Sequence, residues 1–217
     1  QDLFALIDGD RQATGVVMDH GATSRETIYE LDYRDWIVEW PAPHALTFTT
    51  KASGEVNGTG YVYDLLEKDF FNVIKGVPGL TMRANADATE VLVSESIDDW
   101  TLESFLVDVA TREERNFPVD TLPEKCVWSQ QDIDIVYCAV PELIPVALYP
   151  DAWYQNKVSF QDAIWRINTA TRRTTVIEDF RDRRVDIDAI NLVLDEQEEW
   201  LYFVDKKTGY LWGKLVD

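Results

Sequence analysis

Tyr61-Val62-Tyr63-Asp64 is one copy of a four-residue phrase that decides the fold: an apolar residue, any residue, another apolar residue, then usually Asp or Asn. The phrase recurs as Val16-Val17-Met18-Asp19, Phe105-Leu106-Val107-Asp108 and Trp165-Arg166-Ile167-Asn168, with a weaker copy at Tyr210-Leu211-Trp212-Gly213. Its fourth positions lie 45, 44, 60 and 45 residues apart. Four short strands and their turns occupy ~40–45 residues, so the interval predicts a β-propeller with one phrase per blade. The step of 60 residues is one unit plus an insertion, and Glu142 to Ser159 supplies it.

Working outward from each phrase gives a consistent grammar of short runs rich in β-branched and aromatic residues, separated by Gly, Pro, Asp and Lys-Thr-Gly turns. The second unit reads as strands at 36–40, 46–50, 60–65 and 70–74, and the third at 80–84, 90–95, 104–109 and 115–119. The fourth reads at 126–129, 133–139, 163–168 and 174–178, and the fifth at 189–194, 200–205 and 209–216. We label the strands of a blade A to D from the axis outward. The first unit has runs at 3–7 and 26–31 around its phrase, which gives B, C and D without A; the fifth lacks D. The expectation is an all-β chain, a β-propeller of about five four-stranded blades with the first and last incomplete. It forms a single domain over 1–217, with blades at about 1–33, 34–76, 77–120, 121–180 and 181–217. Two completions stay open: residues 3–7 close the last blade as its outer strand, or the chain is the C-terminal part of a longer propeller. Alternation along the inner strands turns Trp40, Phe48, Met82, Trp128, Tyr137 and Phe203 toward neighbouring blades, as core.

Composition sets limits on partners. Forty acidic against 20 basic residues give a formal charge of −20, which makes nucleic acid and anionic membrane surfaces poor partners. The 46% hydrophobic and 12% aromatic content is enough for a packed core. No run approaches the ~18 apolar residues of a membrane span. The chain begins at Gln1 without Met, so a trimmed product is expected, with room upstream for an N-terminal membrane anchor as its sole link to a membrane.

Cys126 and Cys138 lie on adjacent runs around a turn at Gln130 to Asp132. A hairpin folding about Asp132 sets them face to face, six residues to either side. That is the register of a cross-strand disulfide, provided the pair is of the close, non-hydrogen-bonded kind. Two buried thiols are the other reading. A bond would argue for an oxidising, extracytoplasmic compartment.

In a propeller the B–C and D–A connections surround one mouth of the central channel. Four segments map there: Lys51 to Thr59, Ser96 to Leu102 with Asp98, Asp99 and Trp100, Asp120 to Lys125, and the insertion with its Tyr149-to-Gln155 stretch. Loops beyond ~12 residues in compact domains are usually functional or disordered, and the aromatic content of this one favours order. Lys51, Trp100, Glu124, Lys125, Tyr149, Asp151, Trp153 and Tyr154 are therefore the candidate residues for binding a protein or peptide partner. A plug that seals the channel fits the same composition. No Gly-x-Ser-x-Gly elbow, zinc spacing, EF-type calcium loop or phosphate-cradling glycine loop occurs, so no cofactor, metal or catalytic residue is assigned. The competing function is a carbohydrate-active hydrolase with two carboxylates ~5–10 Å apart at the mouth, drawn from Asp99, Glu124, Glu142 and Asp151.

The phrases Thr121 to Trp128, Tyr137 to Pro141, Tyr149 to Tyr154 and Phe160 to Trp165 resemble uncharacterised WD40-like, TolB-like propeller proteins of ultra-small candidate-phylum bacteria. The similarity extends to Thr49 to Ser53 and Asp188 to Leu192, and so runs through the whole chain. The resemblance implies a propeller in the cell envelope, behind an N-terminal membrane anchor and extending N-terminal to Leu3. It implies no activity. The chain departs from common WD40 proteins in lacking a Trp-Asp dipeptide at the end of each third strand. The expected function is a non-catalytic, extracytoplasmic binding or scaffold module that engages its partner over the B–C/D–A face.

Overall fold

The computed structural model describes residues 3–9, 12–19, 21, 23–97 and 101–216. Among them run eighteen strands in five antiparallel sheets. The first sheet holds β1 (Leu3–Asp8), β2 (Ala13–Met18) and β3 (Arg25–Leu31). The second holds β4 (Trp36–Ala42), β5 (Ala45–Thr50), β6 (Asn57–Asp64) and β7 (Asp69–Pro78). Next come β8 (Thr81–Ala84), β9 (Glu90–Ile97), β10 (Thr101–Asp108) and β11 (Glu114–Asn116). The fourth sheet is β12 (Cys126–Trp128), β13 (Ile135–Pro141), β14 (Asp162–Asn168) and β15 (Arg173–Asp179). The last is β16 (Ala189–Leu194), β17 (Trp200–Asp205) and β18 (Leu211–Leu215). Each sheet follows chain order, as propeller blades do, and we call them blades one to five.

Why the phrase ends in Asp or Asn is visible in the turns. Asp64 Oδ1 accepts hydrogen bonds from the amides of Leu66 (2.7 Å) and Glu67 (3.0 Å). Asp108 Oδ1 does the same for Ala110 (3.0 Å) and Thr111 (2.7 Å), and Asn168 Oδ1 for Thr171 (2.7 Å). The side chain caps the turn into the outer strand, as Asx turns do. Four residues past each cap the chain takes positive φ, at Lys68 (56°), Arg112 (64°) and Arg172 (61°). The weaker fifth copy is out of register: Gly213 lies within β18 opposite Tyr202, and the capping position falls on Leu215, whose successor Val216 donates to the Glu199 carbonyl as Leu65 does to that of His44.

The first blade settles one of the two completions. Leu3–Asp8 pairs along its length with Ala13–Met18, from Leu3↔Met18 to Asp8↔Ala13, so it is a strand of blade one and not the outer strand of blade five. The run expected at 115–119 is shorter, since Phe117 turns into the core and Pro118 has no amide to donate.

Each seam between neighbouring blades holds one apolar cluster. Blades one and two close on aromatic rings, among them Tyr29, Phe48 and Tyr63. Blades three and four close on Phe117, Trp128 and the Cys126–Cys138 pair, and blades four and five on Tyr137, Phe180 and Phe203. The seam between blades two and three is built from smaller groups, including Ala42, Ala45, Ala84, Ala88 and Met82. Of the expected core residues Phe48, Met82, Trp128, Tyr137 and Phe203 are buried, while Trp40 is half-buried. At the axis Arg83 on β8 joins three blades: it pairs with Glu39 on β4 (2.8 Å) and donates to the Cys126 carbonyl on β12.

The expected register of the cysteines is the observed one. Cys126 and Cys138 are direct partners in the β12–β13 ladder, with Cα atoms 4.1 Å apart, and they form a disulfide. The short Cα separation is that of the close, non-hydrogen-bonded pair.

Candidate functional site

The insertion leaves β13 and returns to β14 through a closed neck, where Pro141 pairs with Asp162 and the Glu142 amide donates to the Gln161 carbonyl (2.8 Å). Its tip is a single helical turn, α1 (Asp151–Tyr154). Asp151, in the first turn, accepts a hydrogen bond from the Gly54 amide at 2.6 Å. Gly54 lies in the B–C connection of blade two, so the insert reaches from blade four to blade two across the mouth. Two glycines permit the approach. A Cβ on Gly54 would stand 2.6 Å from the Tyr149 carbonyl, and one on Gly79, where φ is +66°, would stand 2.4 Å from it. No side chain fits at either position.

Beneath the insert lies an ion cluster closed to solvent. Lys125 Nζ donates to Asp162 Oδ2 (2.8 Å), Asp188 Oδ1 (2.6 Å) and the Ala189 carbonyl (2.9 Å), and all three side chains are fully buried. Asp188 is the hub. It also accepts from Trp153 Nε1 (3.0 Å), Ser159 Oγ (3.0 Å) and the Phe160 amide (3.1 Å), tying the insert to the first strand of blade five. The Lys125 ammonium sits 5.2 Å from the Trp153 ring centroid and 5.3 Å from that of Phe160, and the two rings stack. Such cation–π contacts strengthen when desolvated. Lys206 closes the outer side, 4.8 Å from the Trp153 ring and bonded to the Trp153 carbonyl (2.8 Å).

One ammonium facing two buried carboxylates leaves an excess negative charge. Burial pushes the Asp162 carboxyl up to about 6 despite the Lys125 charge, and its Oδ1 has no hydrogen-bond partner among the described residues. Asp188 is also desolvated, but Lys125 and its several donors hold it below the usual carboxylate range. Glu124 lies alongside: burial raises its carboxyl, one oxygen accepts from the Tyr154 hydroxyl, and the other is buried with no partner among the described residues.

The sequence-expected residues divide by this geometry. Lys125, Tyr149 and Trp153 face inward and are buried, so they hold the insert in place. Glu124 and Asp151 are half-buried at its edge, and Tyr154 and Lys51 are exposed. Trp100 and Asp99 lie outside the described residues. Of the four acids named for hydrolysis, three each bond through one oxygen, Glu124 to Tyr154, Glu142 to Arg181 (2.5 Å) and Asp151 to Gly54. Of the two expectations for the insert, its inner side packs as a plug, onto Leu102 and Leu122. Its outer side presents Leu143 and Val146, each 75% exposed. Between the insert and the blade-two loop opens a cleft of about 460 Å³, with Val146, Leu148 and Val158 on its walls and Glu55, Asp151 and Lys157 among its polar groups.

Sequence reasoning passed over Asp162 and Asp188, the two anchors. The signal was present, since each opens an Asp-Ala-Ile tripeptide, at 162–164 and at 188–190, and the rest of the chain does not repeat it.

No family model matches the chain, and no curated protein matches it. Solved structures do. The chain is similar to a structure described as a putative TolB from Agrobacterium tumefaciens, at 13% identity and a TM-score of 0.63 over 96% of this chain and 68% of that one. It is similar to TolB from Acinetobacter baumannii, at 12% identity and a TM-score of 0.57 over 99% of this chain and 52% of that one. An oligogalacturonate lyase in complex with manganese aligns at 11% identity and a TM-score of 0.57, over 98% of this chain and 61% of that one. The chain thus spans about half the length of the Acinetobacter structure. Identities this low show the fold alone, and the fold is that of TolB-like β-propellers. Because the neighbours include an enzyme, fold does not choose between binding and catalysis.

Proposed function

We propose that this chain is a binding or scaffold propeller acting outside the cytoplasmic membrane, which engages a protein or peptide over the face that carries the insert. One observation carries the reading. The insert is pinned from below by a buried ion cluster, while its outer surface keeps Leu143, Val146 and Tyr154 exposed beside a cleft. A pre-organised apolar surface with a polar edge binds at low conformational cost. Lys51, Glu124, Asp151 and Tyr154 then form the rim, and Lys125, Tyr149 and Trp153 the support.

The disulfide supports the extracytoplasmic compartment, since such bonds persist where thiols are not kept reduced. No helix among the described residues is long and apolar enough to cross a membrane; the proposed membrane link, an anchor ahead of the propeller, rests on the sequence resemblance. An origin among ultra-small candidate-phylum bacteria belongs to the same proposal and rests on the sequence resemblance. The division into one domain over 1–217, with blades at about 1–33, 34–76, 77–120, 121–180 and 181–217, is also part of the proposal and rests on the interval of the repeated phrase. A carbohydrate-active hydrolase is the second reading, supported by an enzyme among the similar structures and by the second oxygen of Glu124, which has no partner among the described residues.

The test is site-specific photocrosslinking in the native envelope. A photoreactive residue at Val146 should capture a discrete protein partner, and the same residue at Val176, exposed midway along the outer strand β15, should not. Equal capture from both positions would contradict the reading.

A further inference from the structure

The face opposite the insert carries a second cleft, of about 550 Å³, between blades two and three. It arises from the way that seam is filled. Its neighbours on either side are closed by rings, whereas here the buried groups near the surface are Ala45, Val62 and Ala88. These small side chains end short of the turns above them and leave an apolar floor. Phe71 on β7, 42% exposed, forms one wall. A volume of about 550 Å³ falls within the ~300–1,000 Å³ typical of ligand pockets.

The rim is anionic. Asp64, Asp87 and Asp108 line it, against Arg112 as the single formal cation of the lining and a half-buried His44. Each carboxylate is oriented through Oδ1: Asp64 and Asp108 by the turn amides already described, Asp87 by the amide (3.2 Å) and hydroxyl (2.7 Å) of Thr89. Their Oδ2 atoms accept no hydrogen bond among the described residues. We propose that this cleft docks a peptide segment in which a bulky apolar side chain is flanked by Lys or Arg. The apolar side chain covers the floor at Ala45 and Ala88, and its basic neighbours meet the free carboxylate oxygens. Charge complementarity selects this occupant. Phosphate-bearing or acidic ligands would meet three carboxylates, and a chain of formal charge −20 steers cations toward such a rim.

Amide NMR titration of the intact chain tests this with two capped peptides, Arg-Phe-Arg and Glu-Phe-Glu. The basic peptide should shift the amides of Ala45, Phe71, Ala88 and Ala110, and the acidic one should leave them unchanged. Replacing Asp64, Asp87 and Asp108 together by Asn keeps the turn acceptors and removes the charge, and should weaken binding roughly tenfold. R112E, at an exposed position, should tighten it several-fold, an outcome that misfolding cannot mimic. Equal shifts with both peptides, no shifts at millimolar basic peptide, or weaker binding to R112E would overturn the proposal. Because Val146 lies on the other face, none of these outcomes bears on the partner proposed for the insert.

Discussion

Lys125 and Asp188, 63 residues apart in sequence, meet at 2.6 Å in the interior, and this contact fastens the insert to the propeller. Lys125 directly precedes the first strand of blade four, and Asp188 the first strand of blade five. Asp188 also binds Trp153 and Phe160, so a single carboxylate ties two blades and the insert together.

Removing the ammonium should therefore be severe. Lys125→Met leaves two desolvated carboxylates without a counter-charge, and breaking a buried pair from one side costs about 3–5 kcal/mol. Urea denaturation of the variant should show a loss of that order. A loss below about 1 kcal/mol would mean that the cluster contributes little.

Asp162 gives a pH test with a definite sign. Burial pushes its carboxyl from the ordinary 3.8 up to about 6, so the folded state holds the proton more tightly. Stability from this group is greatest below the unfolded value and is lost as pH rises through the folded one. Between pH 5 and pH 8 it should account for roughly 1 kcal/mol. D162N should lose that share of the pH dependence, read as the wild-type-minus-variant difference in unfolding free energy at the two pH values. An unchanged difference would show that Asp162 is ionised throughout.

Trp153 and Tyr154 are adjacent but should respond differently. Trp153 is 5% exposed, stacked on Phe160 and bonded to Asp188, so Trp153→Ala should cost about 3–5 kcal/mol of stability. Tyr154 is 39% exposed but its hydroxyl bonds the half-buried Glu124, so Tyr154→Ala should reduce partner capture and cost about 1–3 kcal/mol, less than Trp153→Ala. If the two variants melt alike, the turn does not divide inside from outside as described.

The disulfide predicts that the denatured, non-reduced chain contains no titratable thiol. The half-cystines are 12 residues apart, a short loop, so reduction should cost no more than about 2–3 kcal/mol. Two reactive thiols in protein from its native compartment would remove the argument for an oxidising location.

Much of the fold was legible because its determinants are local. The phrase at Asp64 is read in four residues, since the Asp caps its own turn. The Cys126–Cys138 register follows by counting from one hairpin. The support of the insert is not local. Lys125 stands in a polar, Pro-containing stretch that reads as a surface turn, and its partners are 37 and 63 residues away. That Trp153 points in while Tyr154 points out depends on a helical turn too short to show a period of 3.6. Gly54 and Gly79 look like ordinary loop glycines until the Tyr149 carbonyl is placed beside them. The open seam at Ala45 and Ala88 appears only once two blades are brought together.

The central claim is that the aromatic insert is a fixed platform and not a mobile loop, and amide hydrogen exchange reads this directly. The amides of Ala152, Tyr154, Gln155 and Phe160, all hydrogen-bonded, should exchange as slowly as those of the β13–β14 ladder from which the insert springs. Exchange at the rate of an unstructured loop, with the ladder protected, would contradict the account.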